Sequence, residues 1–408
     1  MQFIYHHRTA GRGGEGVHIT SVVRALLRGG HAVTLVSPPG VDPLAPAADV
    51  PLDKDMKGIA RPSGISRLWK WLSCSCPQFV FELAEIAYNA YALVTLPRRL
   101  RGREPRVYYE RYAFFMSAGV WVAKWYGRPV ILEVNEVTGI QRARAQKLLR
   151  LSRWFERQTF SRADEIITVS SFLQREVLQR GGRPGHVHVV PNAIDPARFQ
   201  HADGRAVRAR LGLGDATVVG FAGWFDRWDR LDRLVAALGT LRQTHGDVRL
   251  LLVGDGPVAH ELREAIARAG LEPFTTLTGP VPRAEVPSYL DAMDICVLPD
   301  SNEFGSPIVL FEFMALGKAI IGPDVAPVRD VIRPGENGWI VNQRNGGDLT
   351  AAIGELVADP ALRTRMGLAA RRQALADHTW DAVAIRVESL AAAHLGTASP
   401  ADIALGAA

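Results

Sequence analysis

The chain has 408 residues, 47% of them hydrophobic and 22% charged, with a formal net charge of +6. That length accommodates two or three domains with cores of their own, and the balance excludes a disordered or fibrous chain. Three cysteines, two of them in Cys74-Ser75-Cys76, make no disulfide framework and no metal-ligand spacing, so a reducing, cytoplasmic setting is the expectation.

Met1-Gln2-Phe3-Ile4-Tyr5 reads as a first strand and not as a signal peptide. A glycine loop follows, then a helix over 19–28 ended by Gly29-Gly30, then a strand over 32–37. Residues 41–105 carry no readable motif. Their most apolar stretch, 79–96, is interrupted by Glu82, Glu85 and Asn89, so no membrane span is expected. Further strands are predicted at 107–109, 130–134, 165–169 and 187–190, before the turn-rich boundary Pro191-Asn192-Ala193-Ile194-Asp195. A second series begins at 217–223 and continues through 249–254, 275–278, 294–298, 319–321 and 338–341. Helices over 360–376 and 380–395 close the chain, with a small polar tail behind them. Strand–helix alternation throughout predicts two α/β units, each a parallel sheet covered by helices.

Charge is uneven along the chain. Residues 1–190 hold 27 Lys and Arg against 15 Asp and Glu; the remainder holds 21 against 27. A basic half predicts an anionic partner. No nucleic-acid-binding motif is present, so nucleic acid is not expected. Residues 141–162 read as a helix mixing Arg142, Arg144, Lys147, Arg150, Arg153, Arg157 and Arg162 with Leu149, Leu151, Trp154 and Phe155. That pattern suits either an ordinary surface helix or an anionic membrane surface. Arg67-Leu68-Trp69-Lys70-Trp71-Leu72 offers a second such contact.

The most informative run is Glu303-Phe304-Gly305-Ser306-Pro307-Ile308, continuing to Glu312-Phe313-Met314-Ala315-Leu316-Gly317. It reads as a Gly-Ser-Pro turn feeding a helix at the carboxyl end of a strand. Open α/β sheets bind ligands there, and free amides at a helix start hold phosphate. Glu312, a turn into the helix, could accept from ribose hydroxyls. On these residues the chain resembles the family 4 retaining glycosyltransferases. The second half of the family signature, Glu-x-Met-Ala-x-Gly, is present at Glu312; its first glutamate is displaced to Glu303, with Phe304 in its place.

The resemblance implies a GT-B fold: two facing Rossmann-like domains, residues 1–196 and 197–377, with a C-terminal helix over 378–396 returning to the first, and a tail over 397–408. It also implies sugar transfer with retention from a nucleotide diphosphate sugar, UDP- or GDP-linked, to a glycan or lipid-linked hydroxyl acceptor, with no metal and no cofactor. Gly223-Trp224-Phe225-Asp226-Arg227-Trp228-Asp229-Arg230 resembles the family segment whose Arg and Lys neutralise the donor diphosphate. Here those two positions are Trp224 and Asp229, and the basic groups are displaced to Arg227 and Arg230. Arg230 is the expected replacement, with a catalytic role beside Glu303, and Arg227 the second. Val281 resembles the family's apolar contact to the nucleotide base.

Gly11-Arg12-Gly13-Gly14-Glu15-Gly16 satisfies Gly-x-Gly-x-x-Gly, which alone is a weak dinucleotide signal. The strand after it ends Val36-Ser37-Pro38 without the acidic ribose partner. Within the resemblance, Gly13 and Gly14 let the backbone approach the donor. His18, Arg111, Glu133 and Asn135 lie at strand ends or a helix start and are candidate acceptor contacts; a Glu133–Arg111 ion pair is the competing structural reading. His6 and His7 point to opposite faces of a strand and cannot share a catalytic metal. Two other functions stay open on the sequence: a nicotinamide-dependent oxidoreductase using the first glycine loop, and a non-catalytic scaffold that has kept the fold.

Overall fold

The computed structural model describes residues 1–9, 13–44, 78–102, 104–140 and 146–395. Gly11, Arg12, the 67–72 segment, Cys74, Cys76, Arg142, Arg144 and the tail lie outside these residues. Among the described residues, those up to Val190 and from Trp380 onward form one compact unit, and Pro191–Thr379 form a second.

The first unit holds strands β1 (Gln2–His6), β2 (Ala32–Val36), β3 (Arg106–Arg111), β4 (Val130–Val134), β5 (Glu165–Thr168) and β6 (Val187–Val189). They form one parallel sheet in the order β2-β1-β3-β4-β5-β6. Its helices are α1 (Gly13–Arg28), α2 (Gln78–Leu100), α3 (Ala118–Trp125), α4 (Leu149–Phe160), α5 (Ser171–Gln179) and the last helix, Trp380–Leu395. The four inner strands β1, β3, β4 and β5 are buried on both faces, which explains their apolar runs, while the edge strands β2 and β6 are partly open. The helix expected over 19–28 starts six residues earlier, at Gly13. Gly13 and Gly14 therefore lie in its first turn, and Glu15 there complements the helix dipole.

Helix α2 is long and apolar enough to cross a bilayer by length and composition, which the sequence reading had discounted on its acidic residues. Those residues face inward. The Glu82 carboxylate accepts the Lys147 and Leu148 amides at 2.8 and 2.7 Å, ahead of α4, and Glu85 pairs with Arg8 at 2.8 Å. Helix α3 packs on β3 through Gly119. A Cβ there would sit inside the van der Waals radius of Tyr108 Oη and Glu110 Oε2. Tyr108 donates to Glu110, and both hydrogen-bond with His6. Gly119→Ala is therefore expected to destabilise the first unit by about 1–3 kcal/mol, read as a lowered urea midpoint at unchanged m.

The second unit holds β7 (Thr217–Trp224), β8 (Val248–Asp255), β9 (Thr275–Leu277), β10 (Ile295–Val297), β11 (Ala319–Pro323) and β12 (Trp339–Val341). The order is β12-β11-β10-β7-β8-β9, again all parallel. Its helices are α6 (Gly204–Leu211), α7 (Leu231–Thr244), α8 (Ala259–Arg268), α9 (Val286–Asp291), α10 (Ile308–Ala315), α11 (Ala326–Arg329), α12 (Gly346–Ala358) and α13 (Pro360–Asp377). Strand order reverses between β1 and β3 in the first sheet and between β7 and β10 in the second. The crevice outside the carboxyl ends at such a reversal is where these sheets bind ligands.

Candidate functional site

In the second unit the switch point is built by the loops after β7 and β10. The β7 loop is pinned by close backbone approach. Gly254 has φ +132, and a Cβ there would collide with the Gly223 carbonyl; one on Gly256 would collide with the Phe225 backbone. The Phe225 amide donates to the Asp255 carbonyl at 2.9 Å. Gly254-Asp255-Gly256 thus acts as a seat for the β7 loop.

That loop carries Arg227 and Arg230, both already paired. Arg230 grips Asp232 bidentately at 2.8 and 2.9 Å, and Arg227 meets Glu261 at 2.7 Å on an exposed surface. Arg230 also holds φ 48, ψ 46, a strained left-handed conformation for a non-glycine residue. Asp226 and Asp229 form a capping box across the intervening turn. Burial, with Asp226 and Asp300 nearby, pushes the Asp229 carboxyl up to about 7. Arg233, which the sequence reading passed over, enters the same place and meets Asp300 at 3.4 Å.

A raised carboxyl costs stability once it ionises. The Asp229 term is absent below about pH 4, grows as pH rises toward 7, and is constant above it. Asp229→Asn should match the wild-type Tm at pH 4 and exceed it at pH 8. Equal Tm values at pH 8 would show that Asp229 ionises freely.

The loop after β10 runs into α10. Its amides are less free than the glycine turn promised: Asn302 Oδ1 accepts from Phe304 and Gly305 at 3.2 and 2.5 Å. An Asn two and three residues ahead of those amides is a readable turn signal that went unused. Ser306 is buried and fastened to Asn192, accepting the Asn192 amide on Oγ at 3.1 Å and its side-chain Nδ2 on the backbone carbonyl at 2.6 Å. Ser306 therefore holds the loop in place. Pro307 leads into α10 with no side-chain cap, which leaves the Ile308 and Val309 amides as the helix-start donors. Glu303 is exposed on the loop. Val281 is buried in the core of the unit, so at this position the backbone, not the side chain, is what a ligand could meet.

Glu312 is 13% exposed and pairs with Arg198 at 3.3 Å. Burial raises its carboxyl above the ordinary range, against the lowering pull of Arg198 and Arg283. Both arginines come from other segments, and neither carried a sequence signal. A carboxylate in a crevice whose charge burial disfavours is a candidate functional group.

In the first unit the structure brings together four of the expected residues. Glu133, 1% exposed, accepts from His18 at 3.0 Å, Asn135 at 2.6 Å, Tyr109 at 2.8 Å, and Arg111. Burial would raise this carboxyl, but His18 and Arg111 hold it well below the ordinary range. His18 meets Trp380 edge-on at 4.9 Å, so the cluster ties α1, β3 and β4 to the last helix. The expected Arg111–Glu133 ion pair is present, and both residues are buried. His6 and His7 find different partners: His6 meets Tyr108 at 2.5 Å and Tyr88 at 3.1 Å, while His7 meets Ser37 at 2.8 Å.

Known proteins align with both units. Residues 12–198 match the model of Glycosyltransferase Family 4, and residues 216–359 match Glycosyl transferases group 1. The chain belongs to the family 4, group 1 glycosyltransferases. The glycogen synthase of Mycobacterium tuberculosis is 24% identical over 91% of this chain and 89% of its own length. The alpha-maltose-1-phosphate synthase of Mycolicibacterium smegmatis is 28% identical over 65% of this chain and 73% of its own. Among solved structures, Anabaena HepE in complex with UDP superposes with a TM-score of 0.70 at 18% identity, covering 95% of this chain and 99% of that one. Sucrose-phosphate synthase from Thermosynechococcus elongatus gives 0.67 at 21% identity, covering 96% and 98%. The fold is GT-B, with two parallel-sheet Rossmann-like domains. The nicotinamide reading of the first glycine loop gains no support from these relatives.

Proposed function

We propose that this glycosyltransferase moves a sugar from a UDP- or GDP-linked donor to a hydroxyl of a glycan or lipid-linked acceptor, with retention. The observation that carries the reading is Glu312: a disfavoured carboxylate in α10, at the switch point of the second sheet, flanked by Arg198 and Arg283. It suits the two hydroxyls of a ribose, while the Ile308 and Val309 amides and the helix dipole suit the diphosphate. Arg230 can reach phosphate by exchanging its bidentate grip on Asp232 for one on the ligand. One structural neighbour, Anabaena HepE, is in complex with UDP, and a relative, the mannosyltransferase of M. smegmatis, is named for GDP-mannose.

In the step proposed, the anomeric carbon–oxygen bond to the diphosphate breaks. The acceptor oxygen bonds to the same face of that carbon, and its proton passes to the leaving diphosphate. Arginines and helix-start amides stabilise the departing charge electrostatically. The pairing of Arg227 and Arg230 with carboxylates is what favours a second reading, a non-catalytic member. Thermal shifts with UDP, GDP, ADP and NAD, followed by turnover of the matching sugar nucleotide, separate the two. A UDP or GDP shift with hydrolysis or transfer supports the enzyme. A shift without turnover supports the scaffold, and a shift with NAD alone overturns both.

The anionic-surface partner rests on the first unit. Phe79, Leu83, Leu93 and Val94 are exposed on α2, and Leu149, Leu151 and Trp154 on α4, among exposed Arg150, Arg153 and Arg157. The Glu82 bonds to the Lys147 and Leu148 amides bring the start of α4 to the start of α2. Co-sedimentation with phosphatidylglycerol vesicles but not phosphatidylcholine vesicles is expected, lost in Leu83→Glu/Trp154→Glu. Equal binding to both lipids, or none, would remove the membrane from the proposal.

A further inference from the structure

A second cluster of titratable groups lies at the opposite end of the first sheet, where strands begin. Glu165 opens β5. His186 immediately precedes β6, and His188 lies within it. Residues two apart on a strand share a face, so His186 and His188 flank the same side. The pairing of Ile166 with Val187 sets Glu165 beside His186. His394, in the final turn of the last helix, completes the group from 229 positions along the chain.

The polar geometry separates ligands from supports. His186 Nδ1 and His394 Nε2 lie 3.0 and 2.7 Å from Glu165 Oε1, and these ligand atoms fall within 4.8 Å of one another. His188 Nε2 lies 2.6 Å from the other oxygen, Oε2, while its Nδ1 faces Arg386 Nη2 at 3.2 Å. A guanidinium only donates, so His188 Nδ1 must accept, and the ring's proton sits on Nε2. His188 is thereby a hydrogen-bond donor to the carboxylate, the arrangement that orients a metal ligand from outside. Glu165, 8% exposed, is held in place, whereas His186 is 40% and His394 26% exposed. The open side leaves room for a water.

We propose that Glu165, His186 and His394 form a binding site for a divalent transition-metal ion of the zinc class, with water as fourth ligand and His188 supporting Glu165. Two imidazoles and a carboxylate suit zinc by donor type. Tetrahedral bonds of about 2.0–2.1 Å place ligand atoms roughly 3.3 Å apart, within a small side-chain rotation of the separations here. The site lies at the strand starts, away from the crevice at the carboxyl ends, so its effect is on the fold. An ion there staples the last helix to β5 and the start of β6.

The test uses the full chain, stripped with chelator and titrated with zinc chloride by calorimetry and thermal melting. One equivalent is expected to bind. At a hundredfold excess over Kd, Tm should rise by about 5 °C or more. Binding should weaken on acidification, because protons compete with the metal for imidazole and carboxylate ligands. His188→Gln should weaken it by roughly 10–100-fold, and His186→Ala and His394→Ala by more, with exposed His260→Ala unchanged. Should a ligand variant melt lower even without metal, its zinc-induced shift still reads the site, and cobalt substitution gives visible bands that only an intact ligand set produces. Absence of stoichiometric uptake, or uptake unchanged in His186→Ala and His394→Ala, overturns the site and leaves a hydrogen-bonded cluster.

Discussion

Replacing Glu133 by glutamine is expected to destabilise the first unit by about 3–5 kcal/mol, the range found when one partner of a buried ion pair is removed. Glutamine keeps the shape and a carbonyl acceptor, but not the charge that Arg111 and His18 face. Arg111 is 9% exposed and cannot recover its hydration without moving. The loss is a large fraction of a typical domain's stability. The pH dependence follows from the same bonds. Glu133 titrates below its ordinary 4.5 when folded, so its contribution is fully present above pH 4.5 and is lost as pH falls below it. Wild-type protein should lose stability through that window, and Glu133→Gln should lose less. Urea unfolding at pH 7 and pH 4 measures both. A glutamine variant within about 0.5 kcal/mol of wild type at pH 7 would show that the cluster contributes little.

Glu312→Ala should behave in the opposite way. Burial disfavours this carboxylate more than Arg198 and Arg283 favour it, so its removal relieves a net cost. Arg198 is 31% exposed and keeps its access to water when Glu312 is gone. The Tm without ligand should therefore stay level or rise, as for other groups held against stability for function. Nucleotide binding should suffer. Two hydroxyl bonds to a charged acceptor, at about 1.5–3 kcal/mol each, correspond to a roughly 10²–10⁴-fold weaker Kd for UDP or GDP. An unshifted Kd in a folded Glu312→Ala protein would take the ribose away from this residue. Lower stability with unchanged affinity would make Glu312 a structural acid like Glu133.

Much of this architecture was legible because local pattern and global fold agree. Continuous apolar runs with glycine and proline punctuation located the strands, and their alternation with helices required parallel sheets. The run from Glu303 to Gly317 marked the ligand crevice because a turn, a helix start and a carboxylate fall together within a few residues. The start of α1 was misjudged, since glycines in a first helical turn look like loop in sequence. The acidic interruptions in α2 were read as exclusion from an apolar setting, when they are buried and bonded to Arg8 and to the amides ahead of α4.

What the sequence by itself determined was the fold class, the family and the placing of Glu312, all carried by short-range spacing. Only the tertiary structure decided which charges are spent on one another. Arg230 and Asp232 are two residues apart, and Arg230 grips Asp232 bidentately from a left-handed backbone conformation. Arg198, Arg283 and Glu312 meet from separate segments, as do His18, Arg111 and Glu133, and Glu165, His186 and His394. A side chain's charge is fixed by its type, but its availability depends on burial and partners, and those are set by contacts between residues far apart in the chain.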